Sequence, residues 1–349
     1  MSLWGDIPAK DGAFITPKAT PKAWPPAAGA DSPHLTPRFS EEERIEDIER
    51  SLSYMEEKII TRRNFLRMTA GTAITVSLGG GILGESRAEP TAKVVLIRNA
   101  EVLGPQDKVQ GGILQSMLDE AVKSLLGTNE PLEAWKKLFK SSDVVGIKSN
   151  VWNRLPTPKE LEAAIKRGLL DVGVAEKNIS IDDRGVLSNP IFMNSTALVN
   201  ARPLRTHHWS GVGTCLKNYI QFVPDPSSYH DEGCSPLGKI WTYPVVKGKT
   251  RLNILSCLTP QFYGRGANFF DRRYVWPYKG LIVGTDPVAV DAVGAHLLQA
   301  KRIGFFGEDR ALDVPPIHIM VADKKYHLGV SDLSRIQLIK LGWMEEVLI

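Results

Sequence analysis

The sequence is poor in cysteine: Cys215, Cys234 and Cys257 are the only three in a chain of 349 residues. No Cys-X-X-Cys pair occurs, so a c-type haem, a four-thiolate iron–sulfur cluster and an all-cysteine zinc site are not expected. Three thiols allow at most one internal bridge, which excludes a disulfide-stapled fold. The excess of one sign of charge is also small: the chain has 43 Lys and Arg against 39 Asp and Glu, a net charge of +4. That excess is too small to indicate a nucleic-acid binder.

The remaining composition is that of a globular protein, with 43% hydrophobic and 23% charged residues. The length allows two domains, or one larger α/β domain with extensions. Residues 1–39 differ from the rest, because they contain seven prolines and no apolar period. They are predicted to form an extended, poorly ordered Pro-rich arm. Alternatively the arm lies along a partner surface, anchored by Trp4, Phe14 and Trp24.

Residues 40–60 are predicted to form an acidic amphipathic helix. Ser40 and Glu43 make a capping-box pair at its start. Apolar residues then recur at spacings of three and four and form one stripe on the helix, opposite an acidic face; they are Ile45, Ile48, Leu52, Met55 and Ile59. This stripe packs either on the core of the chain itself or on another subunit.

Residues 61–88 are similar to a twin-arginine (Tat) signal. The run Thr61-Arg62-Arg63-Asn64-Phe65-Leu66-Arg67-Met68 precedes a weakly apolar segment, 68–84, and the small residues around Arg87 suit a signal peptidase. We therefore expect a periplasmic protein exported by the Tat machinery. Residues 68–84 are then either a cleaved leader or an inner-membrane anchor. The alternative for this segment is a buried Gly-rich helix that follows a basic turn.

About 60 residues precede the two arginines, whereas twin-arginine signals usually start near the N-terminus. Either translation begins near Met55, or the extension stays in the cytoplasm and has a function of its own.

From residue 89 to residue 349, strand patterns alternate with helical ones, which predicts an α/β fold: a layered, mostly parallel sheet flanked by helices. The predicted strands are Lys93–Ile97, Asp143–Lys148, Asn178–Asp182, Leu252–Cys257, Gly280–Val283 and Ile317–Ala322. The predicted helices are Gly111–Leu126, Leu132–Phe139, Pro158–Val172 and Pro287–Leu298.

Four segments carry a family resemblance. They are Val144–Asn150, Arg205–Asn218, Gly284–Val293 and the stretch 317–333. Together they resemble the blocks of domain-of-unknown-function family 362, which implies that residues 89–349 form a domain of that type. The sequence departs from the family pattern at three places, with Ser149 instead of Pro, Arg205 instead of Lys, and Ser256-Cys257 instead of Asp-Gly. The resemblance implies altered or lost activity if that Asp is essential.

The segment that begins at Ser210 predicts an anion site. Ser210 is expected to cap a helix opened by Gly211, Gly213 and Thr214, whose backbone N–H groups would face a ligand. His207 directly precedes this segment. Further polar groups come from the same helix and from a neighbouring strand end, where open α/β sheets bind ligands; they are Lys217, Asn218, Lys148 and Asn150. A carboxylate or phosphate group is the expected ligand. The alternative is that the glycines only allow close helix–sheet packing.

Asp286-Pro287 is explained by a helix start, since Asp suits the N-cap and Pro the first helical position. Asp291 lies one turn further on in an apolar run, so we expect it to be buried, and therefore either to be paired, with Lys148, Lys217 or His207 as candidate partners, or to have a shifted pKa. It is either a catalytic acid or half of a structural ion pair.

No metal site is predicted. His207 and His208 are adjacent and do not share a helix face, and His230 with Asp231 and Glu232 lacks a short ligand spacing. No cofactor follows from the sequence.

Three functions fit these patterns. The first is an exported enzyme that uses His207 as acid or base, Lys217 and Lys148 to offset charge, and Asp291 to orient a base. The second is a non-catalytic, membrane-anchored subunit of a redox or other membrane complex, which the long extension and the altered family positions favour. The third is a small-ligand binder without chemistry. The reaction and the substrate do not follow from the sequence.

Overall fold

The structure is a computed structural model that describes residues 92–152, 154–266 and 270–349. The predicted arm (1–39), acidic helix (40–60) and export signal or anchor (61–88) lie outside these residues. All described residues belong to one compact unit, Leu83–Ile349.

Eight strands form one sheet in the order β3-β2-β4-β6-β7-β1-β8, with β5 paired to β4. Their bounds are β1 Ala92–Arg98, β2 Val145–Lys148, β3 Ile179–Asp182, β4 Ala197–His207, β5 Gly211–Gly213, β6 Thr250–Gln261, β7 Gly280–Gly284 and β8 Ile336–Gly342. The pairs β3–β2, β2–β4, β4–β6 and β1–β8 are parallel. The pairs β6–β7, β7–β1 and β4–β5 are antiparallel. The expected α/β fold is confirmed, and the sheet is mixed: six of its eight strands run in one direction, and β5 and β7 run in the opposite one.

Helices cover both faces of the sheet. They are α1 Gly111–Leu126, α2 Pro131–Leu138, α3 Lys159–Val172, α4 Pro190–Met193, α5 Cys215–Asn218, α6 Asp231–Cys234, α7 Leu237–Ile240, α8 Pro287–Phe306 and α9 Ile317–Lys324. Side chains alternate along each strand, so Val95 and Ile97 of β1 share a core with α1, α2 and α3. Val94 and Leu96 point to the other face and share a core with α8 and α9. The result is a three-layer arrangement of helices, sheet and helices.

The start of α8 follows from its sequence. Oδ1 of Asp286 accepts hydrogen bonds from the N–H groups of Val288 (2.8 Å) and Ala289 (3.0 Å), and Pro287 occupies the first turn. This confirms that Asp286-Pro287 is a helix start. The helix ends where Gly307 adopts a φ of 76°, a left-handed conformation that favours glycine.

One local prediction is wrong, and two strands escaped prediction. Residues 317–322, expected to form a strand, begin helix α9. Their short apolar run, Ile-His-Ile-Met-Val-Ala, fits a buried helix as well as a buried strand, because periodicity alone does not separate the two. Strands β4 and β8 were not predicted. In β4 the polar side chains of Asn200, Arg202 and Arg205 interrupt the apolar pattern, although all three are buried.

Among the described residues, no helix combines the length and the apolar character needed to cross a membrane.

Candidate functional site

A cavity of about 80 Å³ lies where the parallel strands β2, β3 and β4 approach their carboxyl ends. Its lining includes Asn150, Arg202, Arg205, His207, Lys217 and Asn218, and we refer to it as the strand-end cavity. A cavity of about 150 Å³ accommodates benzene, so this one suits a ligand of only a few heavy atoms. Ligands of open α/β sheets bind at this edge.

Lys148 at the end of β2 is paired within the protein. Its ammonium group donates to Oδ1 of Asp183 at 2.5 Å and to the carbonyl oxygen of Ser149 at 2.7 Å. Burial lowers the pKa of Lys148 to about 8, although Asp183 opposes the shift. Burial raises the pKa of Asp183, but Lys148 outweighs it and holds that pKa below its usual value. Lys148 therefore contributes to the site mainly as half of a structural ion pair.

An amide network fixes α5 against β2 and β4. The side-chain amide of Asn218 donates to Oδ1 of Asn200 at 2.9 Å and to the carbonyl oxygen of Lys148 at 3.2 Å. Asn150 in turn donates to Oδ1 of Asn218 at 3.4 Å. The predicted residues Asn150, Asn218 and Lys148 therefore lie together.

Two arginines of β4 bring positive charge to the cavity. Arg205 donates through Nη1 to the carbonyl oxygen of Leu155 (2.7 Å) and through Nη2 to Oδ1 of Asn150 (3.0 Å). Among the residues that the structure describes, neither Nε of Arg205 nor Nε of Arg202 has a hydrogen-bond partner, and both atoms are buried. Burial lowers the pKa of Arg202 to about 10, so the guanidinium stays charged at neutral pH.

Lys217 lies on α5 and lines the same cavity. Only 2% of the residue is exposed, and its Nζ has no oxygen or nitrogen partner among the described residues. Burial lowers its pKa to about 8; the neighbouring Cys234 opposes that shift and Arg202 adds to it. Burial also raises the pKa of Cys234, so at neutral pH this neighbour is a neutral thiol, a weak hydrogen-bond partner.

His207 contributes a neutral imidazole. Burial lowers its pKa well below the usual value, and the charges of Lys217 and Arg202 lower it further. Its Nδ1 accepts a hydrogen bond from the N–H group of Trp209 at 3.2 Å. A neutral imidazole that accepts at Nδ1 carries its proton on Nε2. His207 is therefore a hydrogen-bond donor in this arrangement.

The rings of His208 and Trp209 adjoin His207, and the ring of His230 packs on Trp209. The His207 and His208 rings stack with centroids 4.8 Å apart, and Trp209 lies 3.9 Å from His230. Burial and Lys217 lower the pKa of His230 to about 4. Within residues 92–152, 154–266 and 270–349, no group of three or more His, Cys, Asp or Glu side chains is placed to hold a metal ion.

The prediction of a Ser210-capped helix is wrong. Gly211–Gly213 forms strand β5, and the Ser210 hydroxyl donates to the carbonyl oxygen of Val212 at 2.7 Å. A Cβ on Gly211, whose φ is 70°, would lie 2.3 Å from the carbonyl oxygen of Val314. Close packing, rather than a ligand, explains this glycine. Gly213 also packs closely, since a Cβ there would lie 3.0 Å from Nη2 of Arg202.

Asp291 occupies the N-terminus of α5. Its carboxylate accepts hydrogen bonds from the N–H groups of Cys215 (2.7 Å) and Leu216 (2.9 Å) and from the Thr214 hydroxyl (2.6 Å). Burial raises its pKa to about 7, against these hydrogen bonds. Asp291 is thus buried with a shifted pKa, as one alternative predicted, but among the described residues its hydrogen bonds come from the start of α5 and not from Lys148, Lys217 or His207. The backbone groups expected to face a ligand are already bonded to Asp291.

The charges around the cavity do not balance. Lys148, Arg202, Arg205 and Lys217 are four buried cations, and Asp183 and Asp291 are the nearby buried acids. Among the described residues, no carboxylate forms an ion pair with Arg202, Arg205 or Lys217. Sequence reasoning missed Arg202 and Asp183. Asp183 directly follows β3, so its place beside the end of β2 was an available signal.

Residues 173–296 match the family model described as domain of unknown function (DUF362). This supports the resemblance for the part of the chain that contains β4, β5, Lys217 and Asp291. Lys148 and Asn150 precede the matched region. The search of curated proteins and the search of solved structures each gave no match to the chain.

Proposed function

We propose that the strand-end cavity binds a small oxyanion, a carboxylate or a phosphate group, and that the protein is an exported enzyme or binder of a compound that carries it. The observation that carries the proposal is the set of buried cations, Arg202, Arg205 and Lys217, with which no carboxylate of the described part of the chain forms an ion pair. The residue pattern around Arg62-Arg63 supports export.

Desolvation is the physical reason for an anion. A buried cation without a partner costs several kcal/mol, so proteins pair such groups or leave them for a ligand. Here Asp183 already accepts from Lys148, and Asp291 is bonded to the start of α5. A bound anion would supply the missing charge.

The available donors match the acceptors of an oxyanion. Nε of Arg202 and Nε of Arg205 are unpartnered, and His207 carries a proton on Nε2. Hydrogen bonds between charged donors and an oxyanion are about twice as strong as neutral ones. The neutral His207 can donate to the anion without adding a further buried charge.

Thermal unfolding of the full chain with added phosphate or acetate tests this proposal. We expect the better-fitting anion to stabilise the fold by about 2.7 kcal/mol at about 100 times its dissociation constant. His207→Ala and Lys217→Ala should each remove that shift, with Lys247→Ala, an exposed lysine, as the matched control.

The two anions distinguish a carboxylate site from a phosphate site. A fold that neither anion stabilises contradicts the proposal. If Lys217→Ala abolishes folding in the absence of a ligand, Lys217 is structural. His207→Ala then decides: loss of the anion-dependent thermal shift supports the proposal, and an unchanged shift contradicts it.

A further inference from the structure

The two buried lysines beside the cavity have different surroundings. Nζ of Lys148 has three oxygen partners, Asp183 at 2.5 Å, Ser149 at 2.7 Å and Asn218 at 3.4 Å. Nζ of Lys217 has none among the described residues, although the side chain lines the cavity. A structural lysine at this depth would be expected to have a carboxylate partner.

We propose that the amine of Lys217 condenses with the carbonyl group of a small 2-oxo acid, whose carboxylate is held by Arg202 and Arg205. The inference deepens the proposed function and rests on it, because the carboxylate is the anion that the cavity binds. It assigns a catalytic role to Lys217 and names the substrate class as oxo acids of a few carbon atoms.

The environment favours the neutral amine that this step requires. Lysines that form imines are activated by desolvation or by a neighbouring cation. Lys217 has both, because it is buried and Arg202 acts on it, and its pKa falls to about 8. Among the described residues no carboxylate holds the ammonium group, and the side chain lines the cavity; the step requires Nζ to turn from Cys234 towards that cavity.

The condensation balances without an oxidant or reductant. The amine lone pair attacks the carbonyl carbon and forms a carbinolamine. The former carbonyl oxygen then leaves as water with the two amine hydrogens, and a C=N bond remains. His207 lines the same cavity with a proton on Nε2, so it can hydrogen-bond to that departing oxygen while the two amine protons pass to it.

The size of the cavity limits the substrate. About 80 Å³ is about half the volume that holds benzene, so glyoxylate and pyruvate are suitable probes. Larger oxo acids would have to leave most of their atoms outside the cavity.

Reductive trapping tests the inference. The full chain is incubated with glyoxylate and cyanoborohydride near pH 7, and the products are followed by intact mass and peptide mapping. We expect a single modification on Lys217, with a mass increase equal to the mass of the oxo acid minus one oxygen atom. It should form at least about tenfold faster than additions on Lys148 or the exposed Lys247, because Lys217 combines a lowered pKa with a cavity. Added phosphate should slow it by competing for the arginines.

Lys217→Arg is the matched variant, because it keeps the positive charge but cannot form an imine. In this variant no oxo acid should be trapped at position 217, while the circular dichroism spectrum remains that of the wild type. Peptide mapping of the wild type decides the matter even if this variant fails to fold. Addition spread evenly over surface lysines overturns the inference.

The change in thermal stability that phosphate causes in the wild type separates the two proposals. A protein that phosphate stabilises but that is not trapped at Lys217 overturns this inference and leaves the proposed function in place. A protein that is neither stabilised by phosphate or acetate nor trapped overturns both.

Discussion

At the scale of single residues, the neighbours of each buried charge decide its role. Lys148 and Lys217 have the same side chain, nearly the same burial and a pKa of about 8. Only Lys148 has a carboxylate partner, Asp183. Residue type and depth therefore do not distinguish the two lysines, whereas the carboxylate beside Lys148 does.

Lys217→Met should stabilise the ligand-free protein, because it removes a buried charge and keeps most of the side-chain volume. A pKa of about 8 when folded, against 10.5 for the ordinary side chain, corresponds to about 3 kcal/mol of destabilisation at pH 7. Between about pH 8 and 10.5, Lys217 keeps its proton in the unfolded chain but has lost it in the folded protein. The stability of the wild type should therefore rise over that range, and the variant should lack this rise.

Urea unfolding of both proteins at pH 7 and at pH 10 measures the effect. Equal m-values would show that the same surface is exposed in each case. A Lys217→Met protein that is less stable than the wild type at pH 7 would identify a structural role for the ammonium group.

Sequence reasoning brought together several residues that lie at or beside the strand-end cavity, because strand ends are recognisable. Lys148 and Asn150 follow a buried strand pattern, and Lys217 and Asn218 share a short segment. Arg202 was missed because it lies inside β4, where Pro203 and the charged residues conceal the strand. The contacts of Asp291 could not be foreseen, since they depend on how α8 packs against α5.

At the scale of elements, α5 is held at both ends. Asp291 of α8 bonds the N–H groups at its start, and Asn218 at its end donates to groups of β2 and β4. A helix of four residues has too few internal hydrogen bonds to form alone. These two attachments therefore fix where Lys217 enters the cavity.

The free energy of unfolding of the Asp291→Asn variant, relative to that of the wild type, should increase as the pH rises. The folded pKa of Asp291 is about 7 against an ordinary value of 3.8, so the folded state binds the additional proton between these values. The wild type therefore loses stability from about pH 4 to 7, by up to about 4 kcal/mol from this group, and no more above pH 7. The asparagine variant lacks this term.

Chemical denaturation of the Asp291→Asn variant and of the wild type between pH 4 and 8 tests this expectation. Arg202, the charge that faces Asp291, remains ionised throughout this range, and the thiol of Cys215 stays protonated. A free-energy difference between the two proteins that does not change with pH would contradict the role given to burial.

Elements with a strong helical period were predicted well, because an amphipathic stripe sustained over several turns fits a helix and does not fit a strand. Gly111–Leu126 has the bounds that were expected, and Pro158–Val172 differs by one residue from Lys159–Val172. The helix predicted to end at Leu298 continues to Phe306, because Gly307 rather than a change of pattern ends it. Strand β8 pairs with β1 from the opposite end of the described chain, a contact that local patterns do not contain.

At the scale of the whole molecule, the mixed sheet results from β7, which runs antiparallel to both of its neighbours, β6 and β1. Alternating strands and helices correctly predicted the layers, since each crossover helix must cover a face of the sheet. Strand direction depends on which distant strands meet. For that reason the sequence predicts the α/β fold but not the reversed direction of β7.

Export is the expectation that belongs to the chain as a whole. Replacing Arg62 and Arg63 together by Lys should keep the protein in the cytoplasm, because the twin-arginine route reads that pair. Arg67→Lys, which keeps a basic residue after the motif, is the matched control and should still be exported. Cell fractionation gives the result, and export of the double variant would contradict the twin-arginine assignment. A mature N-terminus near Glu89 would identify residues 68–84 as a leader rather than an anchor.

The central claim is that the strand-end cavity binds an oxyanion, and a crystal of the full chain soaked in selenate tests it most directly. Selenium scatters anomalously, so the position of the anion can be read independently of the protein. We expect an anomalous peak in the cavity, within hydrogen-bonding distance of Arg202 and of Nε2 of His207. Ordered water in the cavity, with selenate bound only elsewhere on the molecule, would contradict the claim.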